Sequence, residues 1–224
     1  MKQLHLPISL EPNATYNNYF CATPYATKLV NQLRSLTAPI IISGEKGTGK
    51  THLLQASCHH TKRNWFYLNC ANIASTCPSI LENLDSHLVC IDNVEFLNKN
   101  KKWEEALFKL LLSSSQLILS TSSAQIPLHR ADVTSRLSAI MTFKLPNLND
   151  QEQHKALQHR AQKKGIPIAP EVFTWMQKNL PRNNQCLFDF IDTLEIESSR
   201  EKRKPSIMLA KKIWEATTST EKTG

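Results

Sequence analysis

The sequence predicts an α/β domain built on a parallel sheet, followed by a small all-α domain. Short β-rich apolar runs alternate with helix-spaced segments through residues 39–145, the pattern of strands joined by crossover helices. Three of the five glycines, Gly44, Gly47 and Gly49, fall together directly after the first of those runs. Beyond "LPNLNDQEQ" (145–153) only helical periodicity is left.

The strands are expected at "PIIIS" (39–43), "NWFYLN" (64–69), "HLVCID" (87–92), "QLILST" (116–121) and "AIMTFKL" (139–145). Helical spacing covers 50–60, about 78–84, and 102–113, where Trp103, Ala106, Leu107, Leu110 and Leu111 share a face. Pro146 and the Asn/Asp cluster then break the chain, and Asn149 or Asp150 can cap the next helix. Helices are expected over about 150–164, 170–179, 184–199 and 205–216, with Gly165 and Pro167 separating the first two.

Composition narrows the class. With 224 residues, 41% of them apolar, the chain can bury a proper core and is not a disordered polymer. A formal charge of +8 favours an acidic partner such as nucleic acid without identifying one. The six cysteines show no C-x-x-C pairing and no His/Cys ligand spacing, as expected of a reduced cytoplasmic protein without zinc. The start, "LHLPISLEP", is too polar for a signal peptide. The longest apolar run, "APIII", is far below the roughly 20 residues that cross a bilayer, so no membrane role is expected.

The chemistry concentrates in "GEKGTGKT", residues 44–51, which satisfies G-x-x-x-x-G-K-[ST] at every fixed position. Gly44, Gly47, Thr48 and Gly49 let successive N–H groups face phosphates, and the following helix adds its positive end. Lys50 reaches the terminal phosphates, Thr51 holds Mg²⁺ with Asp92 at the end of "LVCID", and His52 follows beside them. The expected cofactors are ADP or ATP with Mg²⁺.

These motifs, with "ATYNNYF" (14–20), "DVTSRLS" (132–138) and "KLPNLNDQEQHKALQHRA" (144–161), resemble the AAA+ ATPases. Within them they resemble the branch of the bacterial replication initiator DnaA and its truncated regulatory homologues. An initiator continues past its helical lid into a helix-turn-helix domain, whereas this sequence stops at Gly224. It also begins "QLHLPI", similar to the sliding-clamp-binding motif of the regulatory homologues: Gln3 at a pocket rim, Leu4, Leu6 and Ile8 as apolar anchors, Pro7 stiffening the peptide. A strand packing on its own domain is the alternative reading of those residues. The resemblance thus implies a clamp-binding segment (1–12), a AAA+ domain (13–146), a lid (147–217) and a disordered tail (218–224). It implies DnaA and the sliding clamp as partners, with DNA reached through the clamp, and leaves homo-oligomerisation open.

The resemblance also assigns Arg136 as an arginine finger directed at a neighbouring subunit's nucleotide, against the alternative of a structural ion pair. Three departures weaken self-hydrolysis: Asn93 follows Asp92 where a second acid is common, Ser122 aligns with an acid of the initiator, and Gln185 aligns with the lid's sensing arginine. Arg182, one turn before Gln185, is a candidate substitute, and Glu95 is expected on a different side of the strand end. The implied function is negative control of replication initiation, through ATP hydrolysis stimulated on DnaA. The alternatives are a helicase-loader-like protein and a DNA-binding accessory using the basic stretch 200–212.

Overall fold

A computed structural model of the chain describes residues 10–84, 87–114, 116–123, 126 and 128–220. The candidate clamp-binding residues Gln3, Leu4, Leu6, Pro7 and Ile8 lie outside the described residues. Two compact units divide the chain, Met1–Asn147 and Leu148–Gly224.

The first unit is a five-stranded parallel sheet between helices. Its strands are β1 (Ile40–Ser43), β2 (Trp65–Asn69), β3 (Leu88–Asp92), β4 (Leu117–Thr121) and β5 (Met141–Lys144). They lie in the order β2-β3-β4-β1-β5. The helices are α1 (Pro24–Arg34), α2 (Lys50–His60), α3 (Lys101–Ser113) and α4 (Ala131–Ser138). Successive strand side chains alternate faces, so β1 splits its isoleucines between two cores. Ile41 joins Ile91 and Leu119 beneath Trp103, Leu107 and Leu110 of α3 and Val133 and Leu137 of α4. Ile40 and Ile42 join Cys90 and Ile118 beneath Leu29 and Leu33 of α1 and Leu53 and Leu54 of α2. Both faces of the sheet are covered, which is why its strands read as continuous apolar runs.

Local sequence sets the helix starts. The Thr23 side chain accepts the N–H of Ala26 ahead of Pro24, giving α1 a capped first turn. Asn100 caps α3 by accepting the N–H of Lys102 at 2.9 Å. The stretch read as helical at 78–84 is a 3₁₀ turn, Pro78–Leu81, and Asn83 adopts a left-handed conformation at φ 60°. That residue reverses the chain before a second helical turn can form.

The second unit contains α5 (Asp150–Lys163), α6 (Pro170–Asn179), α7 (Asn184–Glu201) and α8 (Ile207–Thr220). Asn149 and Glu152 form a reciprocal capping box at the start of α5. Leu157, Met176, Leu187, Ile191 and Ala210 make the centre of its core. Helix α8 runs to Thr220, into the stretch expected to be a disordered tail. Among the described residues, no helix is long and apolar enough to cross a membrane.

Candidate nucleotide-binding site

The glycine-rich turn links the end of β1 to the first turn of α2. Gly49 is the N-cap of α2 at φ 92°, and no side chain caps that helix. Its foremost N–H groups therefore stay available to an external acceptor. A Cβ on Gly49 would stand 2.8 Å from the Tyr19 ring, and on Gly44 would stand 2.7 Å from the Leu145 carbonyl. Only glycine fits this close passage of backbone.

Lys50 is buried, 6% exposed. Its ammonium donates to the carbonyls of Gly44 and Glu45, at 2.7 and 2.8 Å. Burial lowers its proton affinity below the ordinary lysine value, and the carboxylates of Asp92 and Glu95 partly offset this. Thr48 closes the turn by donating its hydroxyl to the Glu45 carbonyl at 2.9 Å.

Asp92 is fully buried at the end of β3. Its Oδ2 accepts from the Thr51 hydroxyl at 2.7 Å and from the Tyr67 hydroxyl at 3.0 Å, and its Oδ1 accepts from the Ser120 hydroxyl. Burial, then the neighbouring Asp92 charge, pushes the Tyr67 phenol well above its usual range. Three hydroxyls thus hold the carboxylate in one orientation beside the Thr51 oxygen. A hydroxyl and a carboxylate are hard oxygen donors suited to Mg²⁺, and the glycine turn and Lys50 suit a polyphosphate. The residues fit both groups.

His52 is turned to the N-terminal segment, with its Nε2 2.8 Å from the Thr15 carbonyl and its ring beside Tyr19. Asn93 adopts the left-handed region, φ 57° and ψ 49°. Its side-chain amide donates to Asn69 Oδ1 at 3.0 Å and its backbone N–H to Ser120 Oγ at 3.0 Å. Glu95 lies on a different side of the strand end from the Asn93 side chain: its Oε1 accepts the N–H of Ser122 at 3.0 Å and the Ser122 hydroxyl, bridging the ends of β3 and β4. Sequence reasoning missed this contact and those of Tyr67 and Ser120, because each joins neighbouring strands far apart in the chain. The available signal was an acid three positions past Asp92.

Arg136 is exposed on α4. Its guanidinium lies over the Phe108 ring of α3, which Arg130 also covers, 5.0 Å from the centroid. Arg130, the N-cap of α4, makes no side-chain cap bond. Instead the buried Glu104 carboxylate of α3 accepts the N–H groups of His129 and Arg130, at 3.0 and 2.9 Å, and meets His129 Nδ1 at 2.9 Å. Burial alone would raise the Glu104 pKa; these donors outweigh it and hold it below the usual value.

In the second unit Gln185 donates to Asp189 at 2.8 Å, and Arg182 stands 3.8 Å from Asp150. The basic stretch is partly neutralised, since Lys212 pairs with Glu201 at 2.6 Å and Arg200 with Glu197 at 3.8 Å.

A parallel sheet in this order with a glycine cradle after β1, followed along the chain by a helical unit, defines a AAA+ protein. The comparisons agree with that class. Residues 23–148 match the Sigma-54 interaction domain model, and residues 150–214 match the model described as Hda, lid domain. The chain belongs to the AAA+ proteins and carries an Hda lid domain. An uncharacterised protein of Haemophilus influenzae is 30% identical over 228 residues, spanning 95% of this chain and 98% of its own length. Domain III of the Thermotoga maritima replication initiation protein DnaA is 18% identical, with TM-score 0.75 over 91% of this chain and 96% of that one. AMPPCP-bound DnaA from Aquifex aeolicus is 21% identical, with TM-score 0.69 over 84% and 67%.

Proposed function

We propose that this protein restrains chromosomal replication initiation by stimulating hydrolysis of the ATP held by the initiator DnaA. It holds its own ADP or ATP in the cradle of Gly44, Gly47, Thr48, Gly49, Lys50 and Thr51, with Thr51 and Asp92 holding Mg²⁺. When bound, the metal neutralises phosphate charge. Lys50 binds the terminal phosphates in exchange for its two loop carbonyls, and the uncapped N–H groups of α2 orient them. Asn93 is no proton acceptor and its amide is engaged with Asn69, so turnover of the resident nucleotide is slow.

The observation that carries the reading is Arg136: an exposed guanidinium on a short helix whose entry is fixed by a buried carboxylate. That arrangement presents a rigid cation outward, suited to the phosphates of a second protein's nucleotide. The N-terminal Gln3, Leu4, Leu6, Pro7 and Ile8 dock on the sliding clamp, restricting the effect to DNA carrying clamp.

The test measures ATP hydrolysis by DnaA with this protein, clamp and DNA, omitting each in turn. Stimulation that needs both this protein and DNA-loaded clamp supports the reading. Unchanged DnaA turnover in the complete mixture refutes it.

A further inference from the structure

We propose that Glu95 supplies the acid that position 93 lacks, and that the protein uses it to cleave its own bound ATP slowly. The inference rests on the nucleotide-binding reading above and deepens it.

The adjacency of β3 and β4 places the last residues of both strands at one edge of the sheet. Glu95 sits just past β3, and its Oε1 is fixed by the N–H and hydroxyl of Ser122, just past β4. The other oxygen, Oε2, is buried and has no hydrogen-bond partner among the described residues. An unmet carboxylate oxygen is costly to bury, and a donor entering the site, such as a water, would satisfy it. Glu95 also lies at the same edge of the sheet as the cradle, because β4 pairs in parallel with both β3 and β1, and it is near enough to Lys50 for its charge to act there.

Asn93 cannot take this role. Its amide faces Asn69 at the end of β2, and its backbone N–H is tied to Ser120. The left-handed turn at Asn93 instead begins the 3₁₀ turn Val94–Lys99, which carries Glu95. The acid is displaced along the chain but kept at the strand ends.

In this role the Glu95 carboxylate accepts one proton from an attacking water. The water oxygen bonds to the terminal phosphorus, and the bond from that phosphorus to the bridging oxygen breaks. The bridging oxygen leaves on ADP with the electron pair. Ser122 is a positioning residue, holding Glu95 through two donors.

The test uses the full chain in excess over labelled ATP with Mg²⁺, followed through a single turnover. A separate arm measures affinity for ADP and for a non-hydrolysable ATP analogue. Wild-type protein is expected to convert bound ATP to ADP and phosphate. Glu95→Gln should slow this about 10²-fold, the scale of a positioned general base. The same variant should bind ADP within about twofold of wild type and the analogue no more weakly, because only a negative charge is removed. Ser122→Ala should slow cleavage while leaving affinity for the analogue unchanged, and Ser122→Thr, which keeps the hydroxyl, should restore the rate. Wild-type protein that binds ATP and leaves it intact overturns the proposal, as does Glu95→Gln cleaving at the wild-type rate. Loss of ADP affinity in Glu95→Gln would show a structural role and also overturn it. A wild-type chain that binds neither nucleotide fails earlier and overturns the cradle reading itself.

Discussion

The Arg136 guanidinium sits 5.3 Å from the centroid of the Phe108 ring of α3. At an exposed site such a stack contributes about 0.5–1 kcal/mol, enough to bias the side chain without neutralising it. Among the described residues no carboxylate pairs with Arg136, in contrast to Arg130, which pairs with Asp132 at 2.6 Å. The finger reading predicts that Arg136→Ala abolishes stimulation of DnaA, a loss of about 10³-fold or more if the guanidinium meets the transferring phosphoryl group. Arg136→Lys should recover little, because an ammonium lacks the planar fork. Affinity for ADP should be unchanged in both, and melting temperature should fall by no more than about 2–4 °C, the loss of the stack. Retained stimulation in Arg136→Ala would return the residue to the surface.

Lys50 makes the second prediction. Replacing it with Ala removes charge-assisted bonds worth about 1.5–3 kcal/mol, so nucleotide dissociation constants should rise roughly 10- to 100-fold. Its proton affinity is depressed from the ordinary 10.5, first by burial, so affinity should begin to fall at lower alkaline pH than for a free lysine. Thr51→Ala and Mg²⁺ chelation should each weaken binding, and together should do no more than chelation alone. Fluorescent-nucleotide titration across pH and metal concentration measures all of this.

The parts legible in the sequence are those whose cause is local. The strands were readable because Ile40–Ile42, Leu88–Ile91 and Leu117–Leu119 are short apolar runs buried on both sides. The cradle was readable because its glycines, Lys50 and Thr51 act within one turn. Helix α4 was not singled out, since it buries only Val133 and Leu137 and its entry is secured by Glu104, 26 positions before Arg130. The partner of Glu95 was hidden for the same reason: Ser122 lies 27 positions away and is near only because β3 and β4 are neighbours.

Glu104 leads to a stability prediction with a defined pH dependence. Glu104→Gln keeps the shape but loses the charge that three groups donate to, and should cost about 1.5–3 kcal/mol. The folded-state pKa lies below the ordinary 4.5, so the unfolded chain binds the proton more readily. The stabilisation is therefore complete above 4.5 and is lost as pH falls through the lower folded value. Urea unfolding should show a constant gap between wild type and variant near neutrality, narrowing as the solution becomes more acid. Because Glu104 fixes the entry to α4, the variant should also weaken stimulation of DnaA while leaving ADP affinity intact.

The last prediction concerns the segment ahead of the AAA+ core. The Tyr16 hydroxyl meets the Ser57 hydroxyl at 2.7 Å, the Glu11 N–H donates to Gln55 at 3.0 Å, and His59 reaches the Glu11 carbonyl at 3.1 Å. This segment is tied along α2, the helix whose first turn forms the cradle, and among the described residues the ties begin at Glu11. Tyr16→Phe should therefore cost about 1 kcal/mol of stability by leaving Ser57 short of a partner. Changing Gln3, Leu4 and Leu6 together to Ala lies upstream of every one of these bonds, so melting temperature and ADP affinity should hold. Capture by immobilised sliding clamp should be lost, and with it the clamp-dependent part of DnaA stimulation. Normal clamp capture by the triple variant would remove the N-terminal peptide from the proposed interaction. Lost capture with a lowered melting temperature would instead favour the other reading of "QLHLPI", a strand that packs on its own domain.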